Sequence, residues 1–568
     1  MKKLLAMLLA LVIAVSALAA CTNDGGSGKE DGTTAATTKE AQESADTKEA
    51  TADTEPADSG KRDINGLELP ISDSGETLDV WLAYNGTLVK DINDIESVKV
   101  MEQNTGVHIN WTIVSLSELN EKFSTLIASG DYPDIVFLSF FPEYPGGWAK
   151  GVEDGVVAKL NDYIQFMPNY KAVLEANEWG DKQAKSDDGE YLIFYSIQGT
   201  DTEIKGEGVV SGVAYRSDIL EQLNLEAPTT IDELHDVLVK VKEAGICEYP
   251  FMPSQSGTSE LSLSYGVRPF ASMQVNKEGK IEFNATNPNF GVYMEEMRKW
   301  YAEGLIDPNF ATFNFFMDLP ASVEANSAFL YSTLTSANTG HGLYSTGKIS
   351  NPDAYLQAYV AQAATDDGLA KMDELQVTKC PGFISTSCKN PELAAKWLDY
   401  LYTDEAAVLL WYGIQGETFE YDANGHPQYT DAVINNVDGL PGSDYIQKIA
   451  LCNNYAACWV GKANNEAGVK LTATLGGGDD AQAQSVAIWS EPEYNIALPA
   501  GVSLTDEEGY IVNQFYTDIQ TLTNEYVIKY ITGVSDESFD SFVDKAYSYH
   551  LQEVIDCYQA AYDRFVNR

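Results

Sequence analysis

The sequence predicts an α/β protein with two lobes, a disordered N-terminal segment and a largely helical C-terminal part. From residue 76 onward, strand and helix patterns alternate, which is typical of parallel strands joined by crossover helices. About 500 residues follow the N-terminal segment, and this is more than one hydrophobic core usually organises. Another apolar strand, which runs directly into a helix, begins near residue 208, and we expect a second lobe there.

The first lobe is predicted from three apolar segments with a helix between each pair. The run TLDVWLAYNG reads as a buried strand, and the helix DINDIESVKVMEQNTG that follows ends at its C-cap Gly106. VHINWTIV alternates as a strand does, the helix LSELNEKFSTLIASG stops at Gly130, and DIVFLSFF predicts a third buried strand. This order predicts parallel pairing with helices covering the sheet.

The second lobe begins with GVVSGVAYRSDIL, an apolar strand that continues into a helix. Thr230 with Glu233 three residues later predicts a capping box for the next helix. VNKEGKIEF predicts a hairpin, and the helix after it ends at Gly304. Farther on, Asn390 and Pro391 mark another helix start, and we expect the last helices to wrap the lobes without forming a separate unit.

The N-terminus has the pattern of an export signal. Lys2 and Lys3 precede an uncharged apolar run from Leu4 to Ala20, too short for a comfortable membrane span. The run leads directly into Cys21, which resembles the lipobox of bacterial lipoproteins. The resemblance implies a lipoprotein signal peptide over residues 1–21, cleaved before Cys21 so that this cysteine becomes the mature N-terminus and is acylated, for example with palmitate. A plain signal peptide with an incidental cysteine is the alternative.

Residues 22–65 are expected to be a disordered acidic tether. From Thr22 to Gly60 there is no Val, Ile, Leu, Met, Phe, Trp or Tyr, and ten acidic residues face three lysines. The whole chain carries a formal charge of −49. Nucleic-acid binding requires a basic face, so we expect no nucleic-acid partner. A solvated acidic surface explains the charge without any special partner.

Metal and hydrolase motifs are weak. The six cysteines after Cys21 could bridge, as Cys380 with Cys388 or Cys452 with Cys458, or remain buried free thiols. They form no CxxC pair and no histidine cluster accompanies them, so we expect no metal site and no cofactor. HExxH and GxSxG are absent, and DANGHPQYTD departs from a calcium loop because its glycine comes two positions early.

Five segments in order carry a family resemblance: EQNTGVHINWTIV, STLIASGDYPDIVFL, AYRSDILEQLNLEAPTTIDEL, NPELAAKWLDYLYTDEA with YGIQGETFEYDANGHPQYTD, and YITG with AYDRF. They resemble the extracellular solute-binding lipoproteins (family 1) of carbohydrate ABC importers, and more narrowly the long oligosaccharide-binding members of Gram-positive bacteria. The resemblance covers nearly the whole chain from about residue 76.

The resemblance implies a type II, maltose-binding-protein-like fold with a hinge between the lobes. Residues 66–568 would form the solute-binding domain, with lobe 1 at about 76–205 plus 376–430 and lobe 2 at about 206–375 plus much of 431–568. It further implies a monomeric, non-enzymatic protein on the extracellular face of the membrane, held there only by its lipid. This protein would capture an oligosaccharide in the cleft and pass it to the transmembrane permease subunits.

Candidate ligand contacts follow from sheet geometry and side-chain chemistry. Ligands of open α/β sheets lie beyond the carboxyl ends of the strands, and sugars need flat aromatic faces together with polar groups for their hydroxyls. The candidates are Tyr84, Asn85, Glu143, Trp148, Tyr215, Arg216, Tyr331, Trp411, Glu417 and Trp459. For Trp411 helix packing is the alternative role, and for Arg216 it is capping or bracing of the hinge.

Two other functions stay open. A surface-anchored glycoside hydrolase would need two carboxylates about 5 to 10 Å apart in a sugar cleft. The same scaffold could also bind peptides, because fold alone does not determine the ligand.

Overall fold

The computed structural model of the chain describes residues 61–568 except for 85–88, 90, 117, 139–143, 177, 198–210, 254–258, 314–321, 323–324, 326, 335–355, 361, 366–367, 373–377, 441, 452–480 and 500. The predicted signal peptide, the lipidation site Cys21 and the tether up to residue 60 lie outside the described residues. Residues Lys61–Arg568 form one unit.

Seventeen strands lie in the described residues. In chain order they are β1 Arg62–Ile64, β2 Leu67–Leu69, β3 Glu76–Tyr84, β4 Val107–Ser115, β5 Ile135–Phe137, β6 Phe194–Ile197, β7 Ser211–Arg216, β8 Phe251–Met252, β9 Met273–Val275, β10 Ile281–Phe283, β11 Leu330–Leu334, β12 Leu356–Tyr359, β13 Ala370–Lys371, β14 Thr378–Ile384, β15 Phe419–Tyr421, β16 Pro427–Tyr429 and β17 Tyr494–Asn495.

The described α-helices are distributed around these strands and dominate the C-terminal part. They are α1 Glu96–Thr105, α2 Leu119–Ser129, α3 Gly147–Glu153, α4 Pro168–Glu175, α5 Glu178–Ala184, α6 Ser217–Leu223, α7 Ile231–Glu243, α8 Pro288–Ala302, α9 Pro391–Tyr400, α10 Asp404–Tyr412, α11 Asp431–Ile434, α12 Gly442–Ile446, α13 Ala481–Ser490, α14 Asp506–Ile531, α15 Phe539–Ser548 and α16 Leu551–Val566.

The first sheet has the order β4-β3-β5-β14-β6. β3 runs parallel to both β4 and β5, as the alternation of strands and helices predicts. β14 returns from much later in the chain and pairs antiparallel with β5 and β6. Gly106 ends α1 with a φ of 67°, a left-handed conformation that glycine adopts without a steric penalty.

Folded structure begins earlier than the sequence suggests. β1 occupies part of the segment expected to be disordered through residue 65, and it pairs antiparallel with β2. Leu67 and Leu69 of β2 are buried in the core of the first sheet. Ile64 of β1 also packs against this core, so folded structure starts near residue 61 and not after residue 65.

The second sheet has the order β12-β7-β11-β8, with β7 antiparallel to both of its neighbours and β11 parallel to β8. Thr230 and Glu233 form the predicted capping box at the start of α7. β9 and β10 form the predicted hairpin. The second core also takes in α14, α15 and α16, so these C-terminal helices pack with the second sheet.

Within the described ranges, no helix is both long enough and apolar enough to cross a membrane.

Candidate functional site

The carboxyl ends of two neighbouring parallel strands meet at one edge of the first sheet. Leu82 of β3 pairs with Phe137 of β5, so the residues just after both strands share this edge. Tyr84 ends β3 and is largely buried. Asn85 and Glu143 lie outside the described residues. This edge is where an open α/β sheet is expected to receive a ligand.

Trp148 of α3 follows β5 in the chain, packs against residues of this sheet and is partly exposed. A tight turn precedes it: Gly146 has a φ of 84°, and the Gly147 N–H donates to the Tyr144 carbonyl at 2.7 Å. The Trp148 ring is backed by Tyr144 at 6.5 Å and by Phe383 of β14 at 6.0 Å between centroids. The turn and the two supporting rings hold one flat aromatic face in a fixed position, as stacking on a sugar ring requires.

The second sheet presents a comparable edge. β8 and β11 are parallel neighbours, so their carboxyl ends point to the same side of the sheet. A small cavity of about 30 Å³ lies beside β7 and the 3₁₀ helix Glu260–Tyr265. Tyr359 at the end of β12 and Trp489 of α13 contribute aromatic walls to this cavity.

Glu260 is an acidic residue that lines this cavity. Only 8% of the residue is exposed, and in the described part of the chain its Oε2 atom has no hydrogen-bond partner. Burial raises the pKa of this carboxyl, while the hydroxyl of nearby Ser332 acts in the opposite direction. Among the described residues Ser332 Oγ has no hydrogen-bond partner of suitable geometry, so burial dominates.

Two predicted ligand contacts, Tyr215 and Tyr331, lie in the core. The Tyr215 ring stacks on Phe329 at 5.7 Å and contacts Tyr359 edge-on at 6.1 Å. The Tyr331 hydroxyl accepts a 3.0 Å hydrogen bond from the Ala328 N–H and is fully buried. Buried rings of this kind contribute packing energy and present no face to a ligand in this structure.

Arg216 is also buried, and it forms an ion pair with Asp218. Its Nε donates to Oδ1 of Asp218 at 2.6 Å across the first turn of α6. Whether Arg216 contacts a ligand or braces the hinge stays a prediction. A charge-assisted pair of this geometry fixes the junction between β7 and α6.

The later candidates lie apart from Trp148. Trp411 is partly exposed on α10, and its carbonyl accepts a 2.7 Å hydrogen bond from the Tyr429 hydroxyl. The Glu417 side chain is exposed in the turn after α10, and Trp459 lies outside the described residues. In the described part of the chain Trp148, Tyr215 and Trp411 pack in different apolar clusters, and no ring contact joins them.

Three residues of the cavity, Glu260, Tyr359 and Trp489, were not predicted from the sequence. One signal was present: Glu260 is the only charged residue between Glu248 and Arg268. An isolated acid in a long uncharged stretch is expected to be buried or functional.

Neither metal nor disulfide chemistry is evident in the described ranges. No group of three or more His, Cys, Asp or Glu residues could hold a metal ion there. DANGHPQY supplies the turn and the second strand of the hairpin β15–β16, and Asp422 Oδ1 accepts from the backbone N–H groups of Asn424 and His426. Cys247, Cys388 and Cys557 are free buried thiols, so the bridge considered between Cys380 and Cys388 is not formed.

Comparison with known proteins places these edges in a family context. Residues 85–408 match the family described as bacterial extracellular solute-binding protein. The chain is 25% identical over 378 residues to the fructooligosaccharide ABC transporter substrate-binding protein FusA of Streptococcus pneumoniae serotype 4 (strain ATCC BAA-334 / TIGR4), an alignment that covers 62% of this chain and 66% of FusA. It is 28% identical over 236 residues to lipoprotein LipO of Bacillus subtilis (strain 168), covering 38% of this chain and 42% of LipO. The aligned part thus spans just under two thirds of FusA and less than half of LipO.

The fold is similar to that of a solved structure over most of its length. The structure of alginate-binding protein AlgQ2 without calcium ion superposes with a TM-score of 0.67 at 21% identity, covering 87% of this chain and 99% of AlgQ2. This likeness confirms the two-lobe α/β fold predicted from the sequence.

Proposed function

The chain belongs to the bacterial extracellular solute-binding proteins, and from this premise we propose that it captures an oligosaccharide outside the cell and delivers it to an ABC importer. The family match over residues 85–408 carries the proposal, because this range contains the carboxyl-end edges of both sheets. The names of FusA and AlgQ2 refer to fructooligosaccharide and to alginate, so related scaffolds take carbohydrate ligands.

The ligand would bind between the two sheet edges. Trp148 would stack against one sugar ring from the first lobe, and polar groups of the second lobe would take its hydroxyls. A ligand closes the lobes only if it binds the closed form more tightly, so it must contact both edges. The closed form would then be offered to the permease, and the protein would perform no chemistry itself.

The N-terminal features add a location to this function. Acylation of Cys21 would anchor a monomeric protein on the extracellular face of a Gram-positive cell membrane, and residues 22–60 would hold it away from the lipid. The name of LipO, a lipoprotein, supports this arrangement. Metabolic labelling with palmitate tests it: the wild-type chain should take up label and sediment with membranes, whereas Cys21→Ser should do neither.

Ligand-induced stabilisation tests the carbohydrate function. The melting temperature of the full chain is recorded against plant, host and microbial oligosaccharides, with short peptides as controls. At a hundredfold excess over the dissociation constant a ligand adds roughly 2.7 kcal/mol, which for a protein of this size raises the melting temperature by a few degrees.

The recovered ligand decides between the functions. An oligosaccharide that raises the melting temperature and is recovered intact supports a transport receptor. Recovery of cleaved sugar with new reducing ends would instead show a glycoside hydrolase, and stabilisation by peptides alone would overturn the carbohydrate assignment.

A further inference from the structure

The Glu260 cavity in the second lobe has the chemistry of a site for a cation. One carboxylate oxygen of a residue that is only 8% exposed has no hydrogen-bond partner, and the cavity is lined by no lysine, arginine or histidine in the described residues. An ionised carboxylate without a counter-charge is costly to bury. The described lining of the cavity supplies no positive partner, and burial instead raises the pKa of the Glu260 carboxyl and so favours its neutral form.

The remaining walls also suit a cation. Trp489 and Tyr359 place aromatic rings around the cavity, and ring faces attract positive charge. Trp489 is held in position, because its Nε1 donates to the Val213 carbonyl at 3.1 Å and its ring lies against Gly212. The free space of about 30 Å³ would admit a group about the size of one or two water molecules.

Long-range electrostatics favour the same sign of ligand. With 85 acidic and 36 basic residues, the surface attracts cations and repels anions on approach. A polyanionic sugar would be repelled both by this surface charge and by the buried acidic residue Glu260.

We propose that Glu260 is a specificity-determining residue that accepts hydrogen bonds from a primary ammonium group, so that the oligosaccharide taken by this protein bears a free amine. This inference rests on the proposed function and narrows its ligand class. Burial raises the pKa of the Glu260 carboxyl, and a bound ammonium group would favour its charged form.

Calorimetry with matched sugar pairs tests the inference on the full chain. Each pair consists of a short oligosaccharide with free amino groups, such as a β-1,4-linked glucosamine trimer, and its N-acetylated counterpart, measured where the amine is protonated. The wild-type chain should bind the amine form about tenfold to a hundredfold more tightly, the range expected for a hydrogen bond to a charged group. Glu260→Gln should abolish this preference, whereas Glu278→Gln, at an exposed turn position, should keep it.

The outcomes separate this inference from the function on which it rests. Tight binding of neutral oligosaccharides with no preference for the amine would overturn the role of Glu260 and leave the carbohydrate function intact. If no saccharide of any kind binds, both fail. The melting temperature of Glu260→Gln shows whether this variant folds. If it does not fold, the wild-type comparison of amine and N-acetyl forms still overturns the inference when the amine is not preferred.

Discussion

Asn169 donates a 2.8 Å hydrogen bond from Nδ2 to Oδ2 of the fully buried Asp399. The second carboxylate oxygen, Oδ1, accepts a 2.9 Å bond from the Tyr170 N–H. Asn169 and Tyr170 lie in the first turn of α4, whose backbone N–H groups have no partner within the helix. A side chain 230 residues away in α9 therefore caps this helix and joins two parts of the first lobe.

Removing this carboxylate should destabilise the chain substantially. Asp399→Ala removes the carboxylate that accepts from the Asn169 amide and the Tyr170 N–H in a buried place, and we expect the free energy of unfolding to fall by about 2–4 kcal/mol. Urea denaturation measures the loss. Asp540→Ala, at an exposed position in α15, should change stability by less than ~0.5 kcal/mol, and equal effects of the two variants would contradict the capping role.

Stability should also depend on pH through Asp399. Burial raises the pKa of its carboxyl from 3.8 to about 6, although the hydrogen bonds from Asn169 and Tyr170 oppose this rise. Between these two values the folded chain holds a proton that the unfolded chain has lost, so this contribution to stability is lost as pH rises through the window. A pKa that differs by one between the folded and unfolded chains corresponds to roughly 1.4 kcal/mol.

Asp399→Asn isolates this effect, because all other carboxyls remain. The wild-type stability should fall relative to Asp399→Asn between pH 5 and pH 7, a range that avoids precipitation near the isoelectric point of about 4.2. Parallel pH profiles for the two proteins would show that Asp399 titrates with an ordinary pKa.

Gly212 on β7 should tolerate no larger residue. A Cβ atom there would lie 2.3 Å from the Trp489 ring, far inside van der Waals contact. Gly212→Ala should therefore cost about 1–3 kcal/mol in unfolding free energy and alter the fluorescence of Trp489. Gly509→Ala is the matched control: it lies in α14 with no atom within 4 Å of the new methyl group, and should stabilise by ~0.5–1 kcal/mol.

Arg568, which follows the last helix α16, forms hydrogen bonds with Lys185 and Asp187 between α5 and β6. Its side chain is only 7% exposed, and it donates from Nε to Asp187 Oδ1 at 2.9 Å and from Nη1 to the Lys185 carbonyl at 2.7 Å. Arg568→Ala should lower the unfolding free energy by about 2–3 kcal/mol, because the bonds to a charged group are lost in a buried place. Lys529→Ala breaks an exposed pair with Glu525 and should cost under ~0.5 kcal/mol. A similarly small loss at Arg568 would show that the helix is held by its apolar face alone.

Local signals in the sequence were sufficient to predict much of the fold. Gly106 and the Thr230–Glu233 box act within one helical turn, so their residue types fix the helix ends without knowledge of the tertiary structure. The segment 391–412 forms two helices, and Thr403 caps the second, α10. This cap is also a local signal, but the apolar pattern continues through Thr403 and conceals the break between the helices.

The candidate site depended on distant contacts, which residue type does not reveal. Tyr215 and Tyr331 are aromatic residues on apolar strands, and the sequence cannot tell which side of a ring meets another strand. Trp489 reaches the cavity across 276 residues from its acceptor Val213. Glu260 was detectable only as a lone charge, because the groups that surround it come from separate segments.

The aromatic face of Trp148 gives a direct test of the ligand surface. Because the indole is supported from behind by Tyr144 and Phe383 and is partly exposed, Trp148→Ala should remove a stacking contact and lower the affinity for the bound oligosaccharide by about tenfold or more. Trp148→Phe keeps a flat ring and should retain part of the affinity. Tyr510→Ala, on an exposed face of α14, is the control and should bind as the wild type does in calorimetry. Unchanged affinity in Trp148→Ala, with its melting temperature lowered, would assign Trp148 to packing against Tyr144 and Phe383, and the ligand would then contact other residues of the first lobe.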